Sequence, residues 1–241
     1  MRKILVDWLI NVHKRFKLLP QTLYLCIKIL DLYMSKTINI KKNNLQKIGS
    51  ACMWLSCKYY EIYSPDPNDF VYISAKMFDK NELIKCEYDI INKLQFKFCY
   101  VTTLDFAERF IKIVNYPIIQ KYNLRNTVDA IQRMNTYTKL VTYTILFACE
   151  LSLLDYEYLN KQLPSKIAAS ATAFAIFIIG LYNSWPLFLK NNTGYDINQL
   201  KTCIKRINDV RKPQKYNETL RKKYDKIVKC IDNVDTDIFD Q

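Results

Sequence analysis

Apolar residues recur at helical spacing along almost the whole chain. The first stretch, MRKILVDWLINVH, is apolar over roughly 240° of a helical cylinder, whereas a helix that lies on a core needs about 100°. The dipeptide Leu19-Pro20 predicts the end of this helix, and QTLYLCIKILDLYMSK predicts a second one. Because the first helix is apolar on two faces, we expect only one of them to lie in the core.

Small residues distinguish one helix in each half of the chain. The helix predicted over 45–62 contains the run GSAC, and the helix predicted over 164–181 contains AASATA. Small side chains let neighbouring helices approach closely. Both segments are therefore predicted to be buried central helices, and the second half of the chain resembles a diverged repeat of the first.

Other amphipathic stretches complete two groups of helices. DKNELIKCEYDIINKL is predicted to begin at an N-cap, Asp79, with Glu82 as its partner in a capping box. SPDPND predicts a turn before this helix, and QFKFCYVT predicts an extended linker after it. Helices are also predicted in TLDFAERFIKIV, in NTVDAIQRMNTYTKLVTYTILFACELSL and in two stretches divided near Pro213. The sequence thus predicts an all-α chain of two bundles of about five helices each, over 1–99 and 100–241.

The composition narrows the class of protein. Only three of the 241 residues are Gly, which argues against an all-β fold with its frequent turns. Eight Cys without a C-x-x-C pair, mostly among apolar helical neighbours, indicate buried free thiols in a reducing compartment. The apolar run Ile167–Tyr182 is short for a membrane span and contains Ser and Thr. It favours a core helix, and we expect no membrane partner.

The net charge of +13 leaves several kinds of partner open. A basic chain is typical of a Lys-rich solvated surface, of binding to nucleic acid or a membrane surface, or of an acidic protein partner. Residues 200–230 contain 11 Lys or Arg and 3 Asp or Glu. This excess lies on an amphipathic helical pattern, which differs from a disordered basic tail.

The sequence contains no recognisable arrangement of catalytic residues, metal ligands or phosphate-binding glycines. His13 is the single His of the chain, and the sequence builds no Ser-His-Asp or Cys-His arrangement around it. No cluster has the spacing of metal ligands, and the three Gly are isolated, so there is no phosphate-binding loop. We therefore expect a binding protein without a cofactor, a metal site or catalytic residues.

One charge on the first helix requires a partner. Arg2 projects inside the apolar arc, where a guanidinium without a carboxylate would be costly. Asp31, in the otherwise apolar second helix, is the predicted partner. The two residues are expected to form a structural buried pair.

A series of motifs then identifies a family. In order along the chain they are MRKILVDWL, LQKIG, CKYYEIYSPDPNDFVYI, CEYDIINKLQF, ELSLLDYEYLNKQLPSKIAASA, SWP and TGY. Together they resemble the A- and B-type mitotic cyclins from Met1 to about residue 231, and the second half is closest to the A-type pattern. The resemblance implies two cyclin boxes in tandem. It also implies a non-catalytic regulatory subunit, in the nucleus and cytoplasm, that forms a heterodimer with a cyclin-dependent protein kinase and activates it.

The resemblance also implies where the kinase would bind. A cyclin docks on the mobile regulatory helix and the activation segment of the kinase, which completes the Lys–Glu pair that the kinase needs. By this resemblance Lys58 and Glu87 hydrogen-bond the kinase backbone. Apolar contacts are implied for Tyr59, Phe96 and Phe98, with Glu61 as a weaker candidate. The alternative for Lys58 and Glu87 is an ordinary surface ion pair.

The second apolar face of the first helix matches the hydrophobic patch of the family, which receives R-x-L peptides from substrates and inhibitors. Its predicted members are Met1, Ile4, Leu5, Trp8, Asn11, Leu45 and Gln46. Asn11 stands where the A-type pattern has an acid near the Arg of the peptide, which argues against strong binding of basic motifs. The alternative is that these residues are only core.

Two further classes remain open. Transcription-type cyclins and general transcription factors of the IIB type also contain cyclin boxes, and the latter bind DNA. The basic last helices fit such a role, but the mitotic motifs favour the cell-cycle class, so a nucleic-acid partner is the less favoured alternative. The chain starts at the box itself, without the helix that precedes it in the family. This start indicates a shortened chain or a misplaced start codon.

Overall fold

The computed structural model describes residues 1–123, 127–159, 161–212 and 217–232. Helices dominate these residues and none of them lies in a strand, so the all-α prediction is confirmed. The chain divides into two compact units, Met1–Thr102 and Thr103–Gln241, here called unit 1 and unit 2. The sequence predicts the boundary between the two bundles at residues 99 and 100, three residues before the boundary in the structure.

Unit 1 consists of five α-helices and a 3₁₀ turn at Lys42–Asn44. The helices are α1 (Arg2–Phe16), α2 (Pro20–Ser35), α3 (Leu45–Tyr60), α4 (Pro67–Ile73) and α5 (Lys80–Leu94). The capping box predicted for α5 is confirmed, because Asp79 accepts from the Glu82 backbone N–H and Glu82 accepts from that of Asp79.

Helix α4 begins inside the segment SPDPND, which the sequence predicts to be a turn. That prediction is wrong for residues 67–69, which are helical. Asp66 and Asp69 form a capping box, and Pro67 occupies the first helical position, where its missing N–H costs nothing. Phe70 is fully buried and meets Phe16 edge-to-face, with ring centroids 5.2 Å apart. The same Pro and Asp residues that suggest a turn therefore begin a helix here, because an aromatic anchor one turn later holds it on α1.

Helix α3 is the central helix of unit 1, as predicted. It packs against α1, α2 and α5, and the residues from Ile48 to Cys57 are all buried. A Cβ atom added at Gly49 would lie only 3.1 Å from Leu5 Cδ1 of α1. Glycine at this position therefore lets α1 and α3 approach closely.

Unit 2 contains eight helical segments among the described residues, more than the five predicted. They are α6 (Thr103–Asn123), α7 (Val128–Leu154), α8 (Tyr156–Leu159), α9 (Pro164–Ile179), α10 (Leu187–Thr193), α11 (Ile197–Arg211), α12 (Glu218–Lys223) and α13 (Asp225–Ile231). The additional segments are short and follow breaks such as Asp155 and Tyr224. Pro213, where a division was predicted, lies outside the described residues.

Helix α9 is central in unit 2, as its small residues predicted. It packs against α6, α7 and α11, and Ala168, Ala169 and Ala171 are fully buried. Among the described residues, α7 is the one helix long and apolar enough to cross a membrane, by length and composition alone. More than half of its most apolar window is buried inside unit 2, as is typical of a core helix.

The cysteines are less uniformly buried than predicted. Five are buried, Cys86 is half-buried, and Cys99 and Cys230 are exposed. Burial raises the pKa of the Cys57 thiol to about 12 and that of Cys86 to about 11. These two thiols are therefore neutral at physiological pH.

Candidate functional site

Lys58 and Glu87 form an ion pair between the last turn of α3 and the middle of α5. The Lys58 Nζ atom donates to both carboxylate oxygens of Glu87, at 2.7 and 2.8 Å, and lies 3.4 Å from the centroid of the Trp54 ring. The Glu87 side chain is 9% exposed, whereas that of Lys58 is 41% exposed. The pair thus combines a buried acceptor with a cation that a partner can still reach.

Exposed aromatic residues accompany the ends of the same two helices. Tyr59 follows Lys58 at the end of α3 and is 51% exposed. Phe96 lies just after α5, is 74% exposed and has a positive φ of 56°, as Gln95 has one of 53°. A left-handed conformation costs a residue other than Gly about 1–2 kcal/mol. The end of α5 therefore holds an aromatic ring at the surface in an unfavourable backbone conformation.

Two predicted contact residues also have internal roles. Phe98 is 8% exposed and meets the Phe96 ring edge-to-face, so it supports that ring from within unit 1. Glu61 accepts hydrogen bonds from the Leu19 backbone N–H at 2.7 Å and from the Thr22 hydroxyl at 2.6 Å. These bonds satisfy donors at the start of α2 that no side chain of α2 caps. Sequence reasoning missed this role because the capping residue comes from α3.

Arg2 and Asp31 make a forked ion pair that attaches α1 to α2. Arg2 donates from Nε and from its terminal nitrogen to the two Asp31 oxygens, at 2.6 and 2.7 Å. The side chains are 13% and 8% exposed. The buried Arg of the first helix thus has the carboxylate partner that its position requires.

The predicted docking patch lies where α1 and α3 approach each other. Met1 and Ile4 are 61% and 60% exposed, and Asn11 is also exposed. The half-buried members of the patch are Trp8, Leu45 and Gln46. Leu5 is only 7% exposed and packs over Gly49. The expectation that Leu5 belongs to the exposed surface is therefore wrong, because Gly49 has no side chain and α3 packs directly on Leu5.

The two candidate surfaces lie at opposite ends of α3. Gln46 belongs to the first turn and Lys58 to the last, so twelve residues separate them. At 1.5 Å per residue this corresponds to about 18 Å along the helix axis. One helix therefore carries both surfaces.

Unit 2 contains a buried carboxylate cluster that sequence reasoning missed. Both oxygens of Glu150 accept from Lys223 Nζ, at 2.6 and 2.8 Å, and one also accepts from the Tyr224 hydroxyl at 2.8 Å. Burial and the nearby Glu150 charge raise the pKa of Tyr224. The available signal was an acid inside the apolar run LFACELSL, but its partners lie more than 70 residues away in sequence. Asp155 similarly binds Arg206 in a forked pair.

The basic excess of residues 200–230 is largely engaged within unit 2. Seven of its cations form ion pairs there, namely Arg206, Arg211, Lys212, Arg221, Lys222, Lys223 and Lys229. Most of the described Lys and Arg side chains of this range are therefore engaged in ion pairs. This pairing weakens the argument for a nucleic-acid surface on the last helices.

Neither a metal site nor a catalytic base is visible in the described part of the chain. No group of three or more His, Cys, Asp or Glu side chains there could hold a metal ion. His13 is 5% exposed, and its Nε2 lies 2.9 Å from the Leu19 carbonyl oxygen. This contact supports the connection between α1 and α2.

Comparison with known proteins matches both units to one family. Residues 1–99 match the cyclin N-terminal domain and residues 101–234 the cyclin C-terminal domain. A putative cyclin-A3-1 of Arabidopsis thaliana is 35% identical over 93% of this chain and 59% of its own length. The G2/mitotic-specific cyclin-A of Spisula solidissima is 34% identical over 85% of this chain and 43% of its own length. The chain thus spans about half the length of the curated relatives that it matches.

A solved structure has the same fold. The X-ray structure of a viral cyclin from herpesvirus saimiri matches with a TM-score of 0.66 at 21% identity. The match covers 87% of this chain and 85% of the viral protein. The tandem helical fold is therefore shared with a protein whose sequence has diverged widely.

Proposed function

This chain belongs to the cyclin family, and from that premise we propose that it is a non-catalytic regulatory subunit that binds and activates a cyclin-dependent protein kinase. The names of its A-type relatives, among them a G2/mitotic-specific cyclin-A, support a role in the cell cycle. Kinase partners of this class need an outside surface to position their regulatory helix and to complete a Lys–Glu pair in their own active site.

The observation that carries the proposal is the pair of Lys58 with the buried Glu87, next to exposed aromatic side chains. Binding of a kinase segment would bury Tyr59 and Phe96, whose apolar area supplies affinity. The polar pair in the same region would supply hydrogen bonds to kinase backbone groups and so define the register of the complex. Phe98 and Glu61 would act indirectly, by supporting the Phe96 ring and the start of α2.

The experiment is kinase activation by the Glu87→Ala variant. A backbone group buried without its partner costs about 1–3 kcal/mol, so we expect kinase affinity to fall roughly tenfold or more. Lys85→Ala is the matched control, because Lys85 is exposed on α5 about 160° around the helix from Glu87. Wild-type activation by a folded Lys58→Ala/Glu87→Ala double variant would refute this interface.

We also propose that the docking patch between α1 and α3, here called the α1–α3 groove, recruits substrates or inhibitors through a leucine-containing peptide. Exposed Met1 and Ile4 beside the half-buried Trp8 offer an apolar surface on one rigid helix. Trp8→Ala should abolish docking, because it removes the largest contact area. Kinase activity on a short peptide without the docking motif should stay unchanged, and equal loss on both substrates would mean that Trp8 only supports the fold.

A DNA-binding role of the IIB type is the alternative to be tested beside this one. It predicts retention on DNA that falls steeply with salt and no kinase in a pull-down. The pairing of the cations in residues 200–230 favours the kinase. Recovery of an active kinase with the full chain supports the proposal, and salt-sensitive DNA retention alone contradicts it.

A further inference from the structure

The exposed face of α1 is strongly basic around the docking groove. At 100° per residue the buried side chains occupy one side of α1, and Asn11, Lys14 and Arg15 share the other side with Ile4. Lys14 and Arg15 follow Asn11 by three and four residues, so they are its neighbours on the helix surface, and both are exposed. Any peptide group that reaches Asn11 therefore meets two cations within one helical turn.

The opposite wall of the groove is preceded by two more cations. Lys41 and Lys42 are exposed and stand four residues before Leu45 and Gln46, respectively. Lys42 begins the 3₁₀ turn that leads directly into α3, so both lysines stand just before the α3 side of the groove in the chain. The apolar residues of the groove thus have cations beside them on both contributing segments.

Negative charge around the groove is sparse and already engaged. Asp7 is the single acid of α1, is half-buried and has an interaction within the protein. Glu82 accepts from Lys47 Nζ at 3.2 Å, so that acid and that lysine neutralise each other. Asn11 offers only a neutral amide. A peptide Arg next to the docked leucine would therefore meet more cations than carboxylates.

We propose that the α1–α3 groove selects leucine-containing peptides whose neighbouring residues are acidic and discriminates against basic ones. The inference rests on the proposed docking function and names its substrate class. A carboxylate beside the leucine forms charge-assisted hydrogen bonds with Lys or Arg, which are roughly twice as strong as neutral ones. The charges are exposed, so salt screens the preference, whereas the apolar leucine contact persists.

The test uses the full chain and three labelled peptides that differ only two residues before the leucine, as Glu-Ala-Leu, Gln-Ala-Leu and Arg-Ala-Leu. Fluorescence anisotropy should give affinities in the order Glu, Gln, Arg, with about a fivefold to tenfold span at about 50 mM salt and a smaller span at about 300 mM. A peptide with Ala in place of the leucine should not bind.

Two variants then reverse or remove the selection. Asn11→Glu should weaken the Glu peptide and strengthen the Arg peptide, and Lys42→Glu should act in the same direction. Lys85→Glu, on the surface of α5, is the control for a general change of net charge and should leave the order unaltered. Thermal melting of each variant establishes that it is folded.

The outcomes separate the charge preference from the docking function. Equal binding of the three peptides, or tightest binding of the Arg peptide, overturns the preference while docking stands. Failure of every leucine peptide to bind a chain that still activates the kinase overturns the groove as a docking site, and this inference with it. Loss of kinase activation with intact peptide binding would instead contradict the kinase proposal alone.

Discussion

The two units pair buried carboxylates with cations in the same two ways, an Arg–Asp fork and a Lys–Glu bond, yet they leave opposite cations open to solvent. We call a pair closed when both side chains are largely buried and open when the cation is exposed. In unit 1 the fork is closed, because the Arg2 and Asp31 side chains are 13% and 8% exposed. The Lys58 side chain, bound to the buried Glu87, is 41% exposed.

Unit 2 has the reverse arrangement. Lys223 and Glu150 are 23% and 5% exposed, and the Tyr224 hydroxyl completes this cluster. The fork with Asp155 is the open pair, because the Arg206 side chain is 39% exposed. The Arg–Asp fork is therefore enclosed in unit 1 and partly exposed in unit 2, whereas the Lys–Glu pair is partly exposed in unit 1 and more enclosed in unit 2.

This difference separates a structural from a recognition use of the same chemistry. A cation enclosed by its own unit holds helices together, as Lys223 holds α12 on α7. An open cation is available to a partner, and Lys58 has the exposed Tyr59 beside it at the end of α3 and the exposed Phe96 just after α5. Arg206 lines an open cleft together with the polar or charged side chains of Glu157, Thr202, Lys205 and Asp209. Exposure of the cation together with apolar neighbours is what marks the candidate kinase surface.

The largest expected effect comes from breaking the closed pair of unit 2. Glu150→Ala leaves Lys223 and Tyr224 without their acceptor in a largely buried position, so the free energy of unfolding should fall by about 2–4 kcal/mol. Urea denaturation of the full chain measures the change. Glu218→Ala removes an exposed pair on the neighbouring α12 and should scarcely move the transition. Equal effects of the two variants would contradict the distinction.

Overpacking the central helices tests whether the two units share the same core design. Ala51 of α3 and Ala169 of α9 are both fully buried, so a Leu at either position should destabilise its unit by about 1–3 kcal/mol. The melting transition is the measurement. Unchanged melting for either variant would show that its helix is not closely packed.

Removing the open pair of unit 1 should cost less than removing the closed pair. After Glu87→Ala the Lys58 ammonium can be hydrated and keeps its position over the Trp54 ring, so we expect a loss of about 1 kcal/mol or less. The same urea denaturation provides the comparison with Glu150→Ala. A loss as large as that for Glu150→Ala would mean that the pair serves mainly to stabilise unit 1.

The smallest perturbation is thiol labelling, which leaves the fold intact. Cys99 in unit 1 and Cys230 in unit 2 are exposed and should react rapidly with a disulfide reagent near pH 8. Cys57 and Cys86 should react slowly, because their raised pKa values of about 12 and about 11 leave little thiolate at that pH. Counting the fast-reacting thiols, one for each unit, measures this directly. Rapid reaction of more than these two would indicate that a core opens.

Local patterns determined much of unit 1. The capping box of Asp79 and Glu82 depends on residues three apart, so it can be recognised without any tertiary contact. The small residues of α3 and α9 predicted central helices, because close helix packing requires small side chains wherever the partners come from. The family motifs similarly identified the cyclin fold, which is confirmed.

Tertiary structure decided what faces solvent. The spacing of Leu5 along α1 predicts that it belongs to the exposed stripe. In the structure the Leu5 side chain packs over Gly49 of α3 and is buried. Glu61 accepts a hydrogen bond at the start of α2 and Phe98 supports the Phe96 ring, contacts that no local pattern shows. In unit 2, Glu150 finds its cation 73 residues away, a pairing that no local pattern contains. The sequence by itself determined the long helices, the capping box of α5 and the family, because those depend on neighbours in the chain. Helix α4, exposure and ion pairing depend on which helix faces which.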